Sequence, residues 1–147
     1  MKIKVIPPML LLAGIILIVT LFFIFPRLNF IPFPWGLAGL VLIYGGIALN
    51  GKARELFRKY DTPHKFQPNT ALIEEGIFTR TRNPMYLGMT LFLLGIALCF
   101  GNAASCIVPV AFGLSVQVFY IPYEEKRLAS TFGEKYMEYK SRVPRWI

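Results

Sequence analysis

The sequence predicts an all-α integral membrane protein with four transmembrane helices and a cytoplasmic amphipathic C-terminal helix. Three observations predict it. The 147-residue chain is 55% apolar with a mean hydropathy of +0.53, too apolar for a soluble fold. The apolar residues gather into four blocks, Met9 to Phe25, Phe33 to Leu49, Met85 to Phe100 and Ala103 to Ile121, each about the ~20 residues that cross a ~30 Å hydrocarbon core as helix. The charges gather between those blocks, almost all on one side.

The first helix, about residues 9–25, follows Lys2 and Lys4; no small-residue cleavage site comes after it, so it reads as a retained span rather than a removed signal. The second, about 33–60, carries Gly36, Gly39, Gly45 and Gly46, small residues that let membrane helices approach closely. It continues beyond the apolar block, where Ala53, Leu56, Phe57 and Tyr60 form one apolar face expected at headgroup level. The loop 61–83 mixes charges with Pro63, Pro68 and Gly76 and offers no soluble core. The third helix, about 84–100, starts at Asn83-Pro84, a good N-cap followed by a proline where a missing N–H costs nothing.

A tight Gly101-Asn102 turn leads into the fourth helix, about 103–123. There Pro122 leaves the Val118 carbonyl without its usual donor, and freed backbone at membrane depth persists mainly where it faces protein, water or ligand. In the tail helix, about 124–141, Leu128, Ala129, Phe132, Tyr136 and Tyr139 recur at helical spacing, and Thr131 with Glu134 forms a capping-box pattern that could restart the helix. Trp146 suits an interface anchor.

The net charge of +8 follows the bilayer rather than a nucleic acid. Lys2 and Lys4, seven basic residues of the loop from Lys52 to Arg82, and six of the tail from Lys126 to Arg145 share one side of the spans, and Arg27 alone falls elsewhere. By the positive-inside rule the N-terminus, loop and C-terminus are cytoplasmic, and an even number of spans joins termini on one side. All eight acidic residues lie there too, so any polar chemistry belongs to that face. Cys99 and Cys106 have no metal-ligand spacing, and no metal is expected. His64, the only histidine, sits in a proline-rich loop and receives no role.

Two polar clusters converge on the cytoplasmic face because the third and fourth helices form a tight hairpin. One runs from Gly76 to Gly88 into the third helix; the other is Tyr120-Ile121-Pro122-Tyr123-Glu124-Glu125, leaving the fourth. The helix N-terminus at Pro84, beside Arg82, suits a carboxylate or phosphate. Paired glutamates suit an ammonium or a sulfonium. S-adenosyl-L-methionine carries all of the carboxylate, ammonium and sulfonium groups, so one zwitterionic cofactor satisfies both clusters.

Arg82-Asn83-Pro84-Met85-Tyr86-Leu87-Gly88, then Glu124-Glu125-Lys126-Arg127-Leu128, then Phe132-Gly133-Glu134-Lys135-Tyr136-Met137-Glu138-Tyr139-Lys140 and Val143-Pro144-Arg145 together resemble isoprenylcysteine carboxyl methyltransferase and its phospholipid methyltransferase relatives, over roughly residues 63 to 147. The resemblance implies a methyltransferase using S-adenosyl-L-methionine on a membrane lipid or prenylated substrate within the lipid bilayer. It implies cofactor contacts from Thr70, Ala71, Leu72 and Ile73, from Phe78, from Asn83, Pro84, Met85 and Tyr86, and from Glu124. Thr70 and Asn83 stand where the carboxyl methyltransferase pattern has histidines, Phe78 where it has tyrosine, and Tyr120 where it has an arginine resembling a clamp for the substrate carboxylate. A carboxylate acceptor needs alignment but no base; an amine acceptor needs a proton acceptor, for which Glu125 or Tyr120 is the candidate. Two other readings stay open. Membrane sterol or isoprenoid reductases share a similar C-terminal architecture but use NADPH, whose 2′-phosphate would call for extra arginines. A non-catalytic membrane protein that kept the fold would account for the substitutions at Thr70, Asn83 and Tyr120.

Overall fold

The computed structural model describes residues 7–60 and 71–147. Every regular element among them is helical: α1 (Pro7–Ile24), α2 (Gly39–Lys59), α3 (Pro84–Phe100), α4 (Ile107–Ser115), α5 (Ile121–Phe132) and α6 (Glu134–Arg142). Short 3₁₀ turns lie at Pro26–Leu28, Trp35–Ala38, which leads into α2, and Gly76–Thr79, and a π-helical turn, Val116–Tyr120, joins α4 to α5. Among the described residues, three continuous helical stretches are long and apolar enough to cross a membrane, Pro7–Ile24, Trp35–Lys59 and Ile107–Phe132, while α3 is a shorter apolar helix of 17 residues.

Helix α3 is the centre of the bundle. Its glycine-bearing face meets α2 so closely that a Cβ on Gly95 would sit 2.6 Å from the Gly39 carbonyl oxygen, and a Cβ on Gly88 2.7 Å from that of Gly46. Backbones can approach this far only where neither helix carries a side chain, which is how small residues stabilise helix pairs in lipid. The opposite face of α3 packs Met89, Leu93 and Ala97 against Ile18 of α1 and Val108 and Phe112 of α4. Leu93 and Ile18 are wholly buried there.

The turn after α3 is a polar lock. Gly101 takes a left-handed conformation (φ 62°), which suits a residue without a Cβ. The next residue, Asn102, is completely buried and fully used: its Nδ2 donates to the Phe25 carbonyl (2.8 Å) and to Asn29 Oδ1 (2.7 Å), and its Oδ1 accepts from the N–H groups of Ala104 (3.0 Å) and Ser105 (3.2 Å). The Ser105 hydroxyl then donates to the Ile18 carbonyl at 2.9 Å. A buried amide whose four bonds are made ties the ends of α1, α3 and α4 into one register.

Several sequence expectations are corrected here. The helix bearing Pro122 does not end near residue 123. The chain widens into a π turn, with the Ile121 N–H donating to the Val116 carbonyl, and this local rearrangement of the ladder lets the helix continue through the proline to Phe132. The break comes instead at Gly133, whose φ of 56° and ψ of −129° favour glycine. Thr131 does not cap α6; its hydroxyl donates back to the Arg127 carbonyl at 2.9 Å. Apart from these corrections, the face of α2 that bears Ala53, Leu56, Phe57 and Tyr60 packs on Ile73 and Phe78. Trp146 is partly buried against the core, and its Nε1 donates to Gln117 Oε1 on the π turn at 2.8 Å.

Candidate functional site

A cavity of about 440 Å³ lies where the start of α1, the end of α2, the segment 71–78, the start of α3, and α5 and α6 meet. Ala71, Leu72, Ile73, Phe78, Arg82, Asn83, Pro84, Met85, Tyr86, Glu124 and Glu125 all line it. Ala71 and Glu125, 54 positions apart, share one wall set because α4, which leads through the π turn into α5, packs beside α3. Thr70 and His64 lie outside the described residues. Tyr120 does not line the cavity: it is 5% exposed, in the core with Met89 and Phe112, its ring 6.4 Å from that of Tyr86.

The two adjacent glutamates do different things. Glu124 is half-buried, and its Oε1 accepts the Tyr86 hydroxyl at 2.9 Å. Glu125 is the hub of an ion cluster. Its Oε1 accepts from Arg82 Nη1 (2.7 Å) and Arg145 Nε (2.8 Å), its Oε2 accepts from Arg145 Nη2 (2.9 Å), and Lys140 Nζ stands 3.4 Å from Oε2. Arg145 grips this carboxylate through two parallel bonds, the strongest arrangement available to the pair; that bonding raises the pKa of Arg145 and keeps it charged.

Arg82 is also spoken for. Besides Glu125 it reaches the Val143 carbonyl through Nε (2.8 Å) and the Tyr136 hydroxyl through Nη1 (3.2 Å), and its own N–H donates to the Pro144 carbonyl (3.0 Å). Thr81 and Asn83 both donate side-chain hydrogens to the Arg145 carbonyl, at 3.0 and 3.1 Å. The segment 143–146 is therefore stitched across the N-terminus of α3. Tyr139 completes the attachment by donating to the Phe78 carbonyl at 2.8 Å, and burial raises the pKa of the Tyr136 and Tyr139 hydroxyls, keeping them protonated.

Two expectations change on this geometry. Asn83 precedes the helix as expected, but its side chain does not cap it. The amide is drawn to the Arg145 carbonyl, so the first-turn N–H groups of α3 have no side-chain partner at the cavity edge, where Met85 and Tyr86 lie. The second concerns a base. Glu125 lines the cavity with its oxygens engaged by cationic donors, and Tyr120 is packed away from the cavity in the core.

Sequence reasoning did not single out Arg145, Lys140, Arg54, Arg127 or Met89 for the site. Arg145 had a signal, the Val-Pro-Arg element that comes after the tail helix. Arg127 had another, lying one helical turn after Glu124. Arg54 had none, because nothing local brings the end of α2 to the start of α3.

Known proteins with similar sequences and folds match this region. The profile described as phospholipid methyltransferase matches residues 35–135. Protein-S-isoprenylcysteine O-methyltransferase B of Arabidopsis thaliana is 38% identical over 76 residues, covering 50% of this chain and 37% of that protein. The protein-S-isoprenylcysteine O-methyltransferase of Schizosaccharomyces pombe is 34% identical over 79 residues, covering 52% of this chain and 32% of that one. The chain thus spans about a third of the length of these curated relatives. A solved eukaryotic intramembrane Ras methyltransferase, isoprenylcysteine carboxyl methyltransferase, shares the fold with a TM-score of 0.70 at 22% identity, over 95% of this chain and 51% of that one.

Proposed function

Because the chain belongs to the phospholipid methyltransferase family, we propose that it is an S-adenosyl-L-methionine-dependent methyltransferase acting on a lipidic or isoprenylated acceptor at the cytoplasmic membrane face. One observation carries this reading: the Glu124 carboxylate and the uncapped first turn of α3 line the same cavity. An acid and free backbone N–H groups on one cavity suit a zwitterionic occupant. At about 440 Å³ the space falls within the ~300–1,000 Å³ typical of small-molecule sites.

The residues present fit the cofactor. Glu124 would oppose its positive charge, with the Tyr86 hydroxyl fixing the carboxylate's orientation. The N–H groups of Met85 and Tyr86 would take its carboxylate, at the positive end of the α3 dipole. Leu72, Ile73 and Phe78 supply apolar wall that excludes water. Glu125, Arg82 and Arg145 hold segment 143–146 over this arrangement. Bound there, the cofactor would supply a methyl group on a sulfonium centre.

In the same reading α3 is a fourth span. Its 17 residues reach about 26 Å at 1.5 Å per residue, close to the ~30 Å hydrocarbon thickness, and it is apolar along its whole length. Four spans put both termini on the cytoplasmic side with the basic loop and tail. Transfer of labelled methyl from S-adenosyl-L-methionine to N-acetyl-S-farnesylcysteine or to phosphatidylethanolamine, by the full chain in lipid nanodiscs, tests the proposal. Transfer to either, abolished by Glu124→Gln, supports it; transfer to neither by folded protein that binds no S-adenosylhomocysteine overturns it.

A further inference from the structure

Helix α2 spends its glycines on two different sides. Gly39 and Gly46 lie against α3, where a Cβ would run into the carbonyl oxygens of Gly95 and Gly88. Gly45 and Gly51 face elsewhere, and a Cβ at either would meet nothing within 4 Å. At about 100° per residue these two flank Ala48 on the side of α2 turned away from α3. The same stripe carries Val41, Tyr44, Lys52 and Glu55.

Tyr44 is out of place there unless something covers it. It is 75% exposed and makes no hydrogen bond among the described residues. Its Cα lies nine residues from Trp35 and eight from Lys52, roughly 12–15 Å from either end of the apolar stretch. A tyrosine side chain is too short to carry its hydroxyl to either interface, the level at which the tyrosines of membrane helices gather. Lipid tails at that depth offer no acceptor, so the partner of this hydroxyl comes from protein.

The cytoplasmic end of the stripe says which protein. Lys52 and Glu55 are both exposed, lie within one turn of each other, and make no ion pair among the described residues. A face bearing one charge of each sign is complementary to a copy of itself turned about a two-fold axis, because the lysine of each copy then meets the glutamate of the other.

We propose that the chain pairs with a second copy of itself through this outer stripe of α2. Ala48 lies at the crossing, the Tyr44 hydroxyl donates to the α2 backbone of the other copy, and Lys52 pairs with Glu55 across the axis. Small residues at a crossing let two backbones approach, and packing and hydrogen bonds rather than the hydrophobic effect hold membrane helices together. Both copies keep the same orientation, with the axis along the membrane normal. The stripe is opposite the α3 contact, so pairing requires no change within the bundle.

Förster transfer between donor- and acceptor-labelled copies of the full chain in liposomes, followed as lipid is added at fixed protein, tests this. Transfer should fall along the dilution curve of a dimer. Tyr44→Phe should weaken pairing at least about threefold and Ala48→Phe at least about tenfold, with thermal midpoints close to wild type because neither side chain belongs to the buried core. Lys52→Glu and Glu55→Lys should each lose self-pairing, since each face then carries a single sign, whereas a mixture of the two variants should pair at least as well as wild type. A chain that stays monomeric at the highest protein-to-lipid ratio overturns the proposal and leaves lipid or another membrane protein over this face. Pairing that Tyr44→Phe and Ala48→Phe leave unchanged also overturns it, because the copies would then meet elsewhere. So does a mixture of the two charge variants that pairs no better than either variant alone.

Discussion

Glu124 and Glu125 are neighbours in the chain whose carboxylates belong to different systems: Glu124 takes the Tyr86 hydroxyl at 2.9 Å at the cavity wall, and Glu125 is gripped by Arg82 and Arg145 at 2.7 and 2.8 Å. Successive residues of a helix point about 100° apart, so one faces α3's side chains and the other faces the returning tail. In the proposed function the first recognises the ligand, while the second anchors the tail.

Glu125→Gln is predicted to act on stability. Removing the charge leaves Arg82, whose side chain is 9% exposed, beside Arg145 and Lys140 without their common anion. Breaking a buried pair from one side typically costs about 3 kcal/mol or more. Thermal unfolding in detergent should show a lowered midpoint, and protease cleavage after residue 133 should become faster as the tail detaches. An unchanged midpoint would contradict the anchoring role.

Tyr86→Phe is predicted to act on affinity. The ring still fills its buried place against Tyr120, but Glu124 loses the donor that orients it. S-adenosylhomocysteine binding should weaken by about tenfold, the value of a hydrogen bond to a charged group, with the unfolding midpoint almost unchanged.

The α2–α3 contact yields a paired prediction. Gly95→Ala would push a Cβ to 2.6 Å from the Gly39 carbonyl oxygen and 2.8 Å from the Ile43 nitrogen, forcing the helices apart at a cost of about 1–3 kcal/mol. Gly45→Ala, on the same α2 helix, meets nothing within 4 Å and should be neutral or slightly stabilising. Equal midpoints for the two variants would count against close backbone packing.

Asn102→Ala should cost about 1–3 kcal/mol, because the Phe25 carbonyl and two N–H groups lose partners in a buried turn. The loss falls far from the cavity, so S-adenosylhomocysteine affinity should be unchanged in the folded fraction.

Much of this architecture is legible in the sequence because its causes are local. Apolar blocks mark the helices, Asn83-Pro84 marks the start of α3, and the tight turn at Gly101 places α3 beside the chain that leads to Glu124. That adjacency alone puts Tyr86 and Glu124 on one site. Contacts over long separations are not legible. Arg145 meets Glu125 twenty residues away and its carbonyl meets Thr81 sixty-four away, and no periodicity reports such a fold-back. Pro122 signals a disturbed helix, but whether the chain breaks or widens depends on the π turn and on Trp146 reaching Gln117. The inward packing of Tyr120 arises from that same widened turn, which changes the face each later residue presents.

The central claim is that this cavity holds a zwitterionic methyl-donor cofactor with Glu124 facing its positive charge. Calorimetric binding of S-adenosylhomocysteine to the purified full chain, with NADPH as the control ligand, tests it most directly. The account predicts saturable binding of S-adenosylhomocysteine alone, weakened at least about tenfold by Glu124→Gln and retained by folded Glu125→Gln. Binding unaffected by Glu124→Gln, or saturable binding of NADPH in its place, would contradict it.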